Sequence, residues 1–151
     1  MSQEPIGGMT PIDESESLVE LGKACLAVVD PDWSQVVLRY AAVAGHESVD
    51  LVRRGGDGSE RSLEAPGDAV DEARRLRNGM YKEDTGTWFT MLYTINPPGS
   101  YGVDFEYDAE PAFESPVPPA AFVQDLERFP RTEEHIPEWL GRALTRARDE
   151  G

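Results

Sequence analysis

Residues 88–108, WFTMLYTINPPGSYGVDFEYD, decide the fold more clearly than any other stretch of the sequence. Apolar and polar side chains alternate on both sides of Asn96-Pro97-Pro98-Gly99, and this period of two around a turn predicts a β-hairpin. The residues predicted to share one face are Phe89, Met91, Tyr93 and Ile95 on the first strand and Val103, Phe105 and Tyr107 on the second. Asp104, Glu106 and Asp108 are then predicted to lie together on the opposite face of the second strand.

The same periodicity argument predicts the other elements. The predicted helices cover residues 14–29, 68–80, 119–129 and 136–148, and the predicted strands cover 33–44, 48–54 and 59–64. Asp13 and Glu16 have the spacing of a capping box, and Asp68 is a candidate N-cap. Hairpin-linked strands flanked by helices predict an α+β fold: one layer of antiparallel sheet with about five strands and about four helices.

Domain organisation follows from length and composition. With 151 residues the chain has the size of one domain. Residues 1–11 contain two Gly and two Pro without periodicity, which predicts a flexible tail. Residues 12–151 are predicted to form a single α+β domain. The first 25 residues contain no basic segment and no apolar run, so we expect a cytoplasmic protein.

The chain is strongly acidic, with a formal net charge of −15. Between Gly102 and Glu138 there are ten acidic side chains against Arg128 and Arg131, a local net charge of −8. Such a surface repels phosphate backbones and anionic lipids, so we expect neither direct nucleic-acid binding nor membrane binding. The charge favours a basic partner, although solubility alone would also account for it.

Motifs for catalysis, cofactors or metals are weak throughout the sequence. His46 and His135 have no second ligand at metal spacing, so no metal site is expected. The glycines at 55–58 lack the Lys and Ser/Thr of a phosphate-binding loop. Cys25 lies on the apolar side of the first helix, where it is expected to be a buried small side chain. We therefore expect no enzyme activity and no cofactor.

The acidic strand is the most informative motif, and three interpretations of it stay open. Carboxylates spaced ~7 Å apart on one strand face are compatible with a solvated outer face or with a partner-binding face. Acid–base chemistry or divalent metal binding is the third interpretation. Three like charges on one face oppose strand stability, which favours a role beyond solubility. Trp88 is either a core residue or an anchor at an interface.

Residues 86–140 resemble the YezG-type immunity proteins, antitoxins of bacterial polymorphic toxin systems. The resemblance is carried by the segments Gly86-Thr87-Trp88-Phe89, GVDFEYDAEPAF at 102–113, PVPP at 116–119 and FVQDLERFPRTEEHIPEWL at 122–140. The most specific of these pieces are 104–108 and 125–131. The sequence departs from the family in its longer Pro-rich segment between Glu110 and Pro119 and in its extended C-terminal helix.

The resemblance implies a small α+β toxin inhibitor that binds and neutralises a cognate secreted toxin domain, with a basic nuclease as the implied partner. It supplies no catalytic motif. The residues predicted to contact the toxin are Asp104, Glu106, Asp108 and Glu110, extended by Asp125 and Glu127, with Trp88 as a possible anchor. Two alternatives remain: an enzyme or small-molecule-binding domain that uses the acidic strand, and a constitutive subunit of a larger assembly.

Overall fold

The computed structural model describes residues 6–113 and 115–150. It confirms an α+β fold with four helices and one five-stranded antiparallel sheet. The elements in chain order are α1 (Pro11–Leu26), β1 (Trp33–Val43), β2 (His46–Gly55), β3 (Glu60–Leu63), α2 (Gly67–Gly79), β4 (Thr90–Asn96), β5 (Ser100–Glu106), α3 (Pro119–Arg128) and α4 (Glu138–Glu150), with a short 3-10 helix at Glu133–His135.

The sheet has the strand order β3-β2-β1-β4-β5, and all neighbours are antiparallel. The long central strand β1 pairs with β2 on one side and with β4 on the other. The edge strands are β3, with four residues, and β5, with seven. The predicted acidic strand, β5, is therefore an edge strand of the sheet.

One face of the sheet is covered by α1 and α2. Leu38, Tyr40, Met91 and Tyr93 project from this face and are almost fully buried against the two helices. The residues that α1 and α2 contribute to this main core are Leu18, Leu21, Cys25, Ala69, Ala73 and Leu76. Burial of these side chains supplies most of the stabilisation of the fold.

The opposite face is covered only at one end. Val43 and Phe89 pack there against α3 and α4, where Phe122 and Leu140 complete a second, smaller core. Because side chains alternate along a strand, Val43 lies on the face opposite to Leu38 and Tyr40. The remainder of this face is not covered by a helix among the described residues.

Several boundaries differ from those that the sequence predicted. The first helix starts at Pro11, and its capping box is formed by Thr10 and Asp13 instead of Asp13 and Glu16. The last helix runs over Glu138–Glu150 instead of 136–148. Helix α2 begins at Gly67 without a side-chain cap, and Asp68 lies in its first turn. The capping contacts at each end decide where a helix begins and ends, and these boundaries are the least predictable part of a helix.

The predicted tail is partly wrong. Residues 1–5 lie outside the described part of the chain, but residues 6–11 are docked on the end of α2. The backbone N–H of Gly7 donates to the carbonyl of Asn78 at 2.7 Å, and that of Met9 donates to Gly79 at 3.2 Å. Met9 also packs against the main core. These contacts bind the segment to the body of the domain.

Candidate functional site

Asp104 and Glu106, which we call the acidic pair, lie on the face of the sheet opposite to α1 and α2. Val103 and Phe105 pack against the main core, whereas the side chains of the acidic pair are exposed. Asp104 pairs across the strands with Leu92, and Glu106 pairs with Thr90. The alternation predicted from the sequence is therefore confirmed for this strand.

The acidic pair is electrostatically uncompensated. Within residues 6–113 and 115–150, no basic side chain forms an ion pair with Asp104 or Glu106. Other acids on the same face are compensated: Asp50 lies 3.5 Å from Arg39, and Glu60 lies 2.8 Å from Arg54. The negative charge of this face is thus concentrated along β5.

Asp108 lies beyond the end of β5 and differs from the acidic pair. Its carboxylate is exposed but stands 3.5 Å from the Arg131 guanidinium. Its backbone carbonyl accepts a hydrogen bond of 2.7 Å from Trp139 Nε1. Glu110 is exposed in the segment that follows. The four acids predicted as the charged contact therefore form a surface series, of which only the first two share a strand face.

Arg131 holds the end of β5, a role that the sequence reasoning missed. Its buried side chain donates to the carbonyls of Tyr107 at 2.7 Å and of Thr87 and His135 at 3.0 Å. Burial lowers the pKa of the guanidinium from its ordinary value. Gly86 has a φ of +79°, and a Cβ there would meet Arg131 at 2.7 Å. One sequence signal existed: Arg131 is one of two basic residues in the acidic C-terminal segment.

Two of the predicted contact residues are corrected. Asp125 is 3% exposed and makes a bidentate ion pair with Arg77, with N–O distances of 2.9 and 2.8 Å. Trp88 is fully buried in the main core. Neither side chain can reach a partner at the surface. Glu127 is exposed on α3, so its predicted contact stays a prediction.

A bulge in the backbone explains the position of Trp88. The Phe89 N–H donates to the carbonyl of Glu106, and Thr90 is also paired with Glu106, so two residues oppose one. The extra residue reverses the alternation, which sends Trp88 into the main core and Phe89 into the second core. The prediction that Phe89 shares a face with Met91 is therefore wrong.

A cleft of about 440 Å³ lies elsewhere, between the β1–β2 turn, α2 and α3. In it, Glu47 accepts hydrogen bonds from Arg74 at 2.6 and 2.7 Å and from the Tyr40 hydroxyl. The hydrogen bonds from Arg74 lower the pKa of Glu47, and burial raises the pKa of Tyr40 well above its ordinary value. Glu47 is thus fixed as a carboxylate at neutral pH and has no proton to donate.

Other chemistry-bearing groups are dispersed. Within the described ranges, no three His, Cys, Asp or Glu side chains come together as a possible metal site. Burial raises the pKa of the Cys25 thiol to about 12, so the reactive thiolate is not populated at neutral pH. Among the described residues, no helix has both the length and the apolar character needed to cross a bilayer.

No family model matches the sequence of this chain, and no curated protein matches it either.

Proposed function

We propose that this chain is a non-enzymatic toxin inhibitor of the immunity-protein type, which docks through the acidic pair onto a basic toxin domain. The observation that carries the proposal is that Asp104 and Glu106 are exposed on β5 and have no ion-pair partner among the described residues. Like charges on one strand face oppose folding. A basic partner would neutralise these two carboxylates, which the folded chain alone does not do.

The partner that fits best is a nuclease domain. A nuclease must carry basic residues to hold phosphate groups, so an inhibitor with a net charge of −15 is attracted to its substrate groove. Complementary charge accelerates association and selects the partner, and apolar contacts at the centre of the interface slow dissociation. Occupying the groove prevents the substrate from binding.

The chemistry of the cleft gives less support to the enzymatic alternative. An acid–base site needs a group with a pKa near neutrality, most often a histidine and otherwise a carboxylate with a raised pKa. His46 lines the cleft, but the neighbouring carboxylate in the sequence does not meet this requirement. Glu47 instead has a lowered pKa because Arg74 neutralises it. Asp104 and Glu106 do not line this cleft. The constitutive-subunit alternative uses the same surface, and the toxicity assay below separates it from inhibition.

The test is neutralisation in cells. The proposal predicts that a reading frame adjacent to this gene encodes a secreted protein with a toxic C-terminal domain. That domain is induced in a host with the full-length chain or with an empty vector, and growth is recorded. Growth restored only by the chain supports the proposal. Toxicity unchanged by an expressed, folded chain, or an adjacent product that is not toxic, contradicts it.

A further inference from the structure

The face of the sheet opposite to α1 and α2 carries more than the acidic pair. Two neighbouring rows of side chains cross it, as the strand register defines. From β2 to β5, the first row is Val52, Val37, Thr94 and Gly102, and the second row is Asp50, Arg39, Leu92 and Asp104. We call these two rows the open sheet face.

Part of this face is exposed beside the segment that follows β5. Arg39 donates to the carbonyl of Ala112 at 2.8 Å, so this segment contacts the sheet at β1. In the same row, Leu92 is 39% exposed. A Cβ placed on Gly102 would meet no atom within 4 Å. In the described part of the chain, the open sheet face is therefore accessible to a partner.

The face combines an apolar floor with charge on one side. Val37 and Val52 are half-buried and paired across β1 and β2, and Leu92, which is paired with Arg39, lies diagonally from Val37. On the β5 side, Leu92 is flanked by Asp104, which has no ion-pair partner among the described residues. On the β2 side, Asp50 is already paired with Arg39. A complementary surface is thus apolar at its centre and basic along a single side.

The area of the open sheet face shows how much of an interface it can form. Four strands, each about 4.8 Å wide, and about 14 Å of strand length give an area of roughly 270 Å². A stable interface buries about 800 Å² on each partner. The open sheet face is therefore large enough to be the desolvated centre of an interface but not the whole of it. Charged groups at the margin of such a centre set orientation and association rate.

We infer that the open sheet face is the apolar centre of the docking surface, with the acidic pair at its margin. The occupant is a basic protein domain that presents an apolar patch lined on one side by Lys or Arg. This inference rests on the proposed function and deepens it, because it states which surface the toxin domain covers and what chemistry that domain must present.

The test compares two exposed apolar residues on different sides of the molecule. Leu92→Ser changes the open sheet face, and Val19→Ser changes α1, where Val19 is 41% exposed. Affinity for the purified toxin domain from the adjacent reading frame is measured by calorimetry. We expect Leu92→Ser to weaken binding about tenfold or more, as for a residue at the centre of an interface. Val19→Ser is expected to leave the affinity unchanged.

A second variant, Thr94→Arg, places a bulky cation at the centre of the face opposite a basic partner. It is expected to weaken binding about 100-fold or more, because a like charge is desolvated there. Urea unfolding of all three variants identifies any change that acts through stability. The inference is overturned if folded Leu92→Ser and Thr94→Arg bind like the wild type, or if Val19→Ser weakens binding as much as Leu92→Ser. If the wild type does not bind the toxin domain, the proposed function fails together with it.

Discussion

Asp125 and Asp104 are both aspartates of the acidic C-terminal half, yet the fold uses them in opposite ways. Asp125 is 3% exposed, and both of its oxygens accept hydrogen bonds from Arg77. Asp104 is exposed on an edge strand without an ion-pair partner among the described residues. The charge of Asp125 is neutralised by Arg77 inside the molecule, whereas the carboxylate of Asp104 faces the solvent. Counting carboxylates along the sequence therefore overstates the charge available to a partner.

The ion pair between Arg131 and Asp108 joins a buried charge to an exposed one. The arginine is buried and holds three backbone carbonyls, while the side chain of its acidic neighbour is 81% exposed. The end of β5 is thus fixed from the inside by a cation and presents an acid to the outside. This arrangement anchors the end of the strand that carries the acidic pair.

The largest effect on stability is expected at Asp125. Asp125→Ala leaves the Arg77 guanidinium buried without its counter-ion, and this costs about 3–5 kcal/mol of unfolding free energy. Urea unfolding measures the change. Glu127→Ala, on the exposed side of the same helix, is the control and should shift stability by no more than about 0.5 kcal/mol. Equal effects of the two substitutions would remove the distinction between structural and outward-facing acids.

A smaller loss is expected at Arg131. Arg131→Leu leaves the carbonyls of Thr87, Tyr107 and His135 without this donor, at a cost of about 2–3 kcal/mol. Amide hydrogen exchange should accelerate at Phe89, whose N–H donates to the carbonyl of Glu106 where the end of β5 loses its anchor. Arg142→Leu, which removes an exposed arginine paired with Glu138, should change little. An unchanged exchange rate in Arg131→Leu would show that the strand end is held by other contacts.

The smallest effect concerns Glu47 and depends on pH. Its folded-state pKa lies below its ordinary value of 4.5, so the folded state favours the carboxylate. That stabilisation is fully present above pH 4.5 and is lost as the pH falls through the lowered pKa. Glu47→Gln should cost about 1 kcal/mol at pH 7, because the pair is partly solvated. It should also flatten the loss of stability below pH 4.5. If Glu47→Gln loses stability below pH 4.5 as steeply as the wild type, the pH dependence does not come from Glu47.

The sequence was sufficient where structure follows from local periodicity. The α+β class, the five strands and four helices, and the outward direction of Asp104 and Glu106 all follow from alternation within short segments. Asp125 could not be placed in this way because Arg77 lies 48 residues away along the chain. Phe89 was assigned to the wrong face because a bulge at Phe89 and Thr90 reverses the alternation, and the same bulge decides that Trp88 is a core residue. Long-range pairing and bulges depend on the assembled sheet and not on a local pattern.

The central claim is that the acidic pair serves docking and not folding. Asp104→Lys/Glu106→Lys tests it directly when stability and affinity for the toxin domain are measured on the same preparation. We predict an unfolding free energy within about 0.5 kcal/mol of the wild type, because both side chains are exposed. We also predict an affinity reduced about 100-fold or more, because the charge that attracts the basic partner is inverted. A folded double variant that binds the toxin domain as tightly as the wild type would contradict the claim.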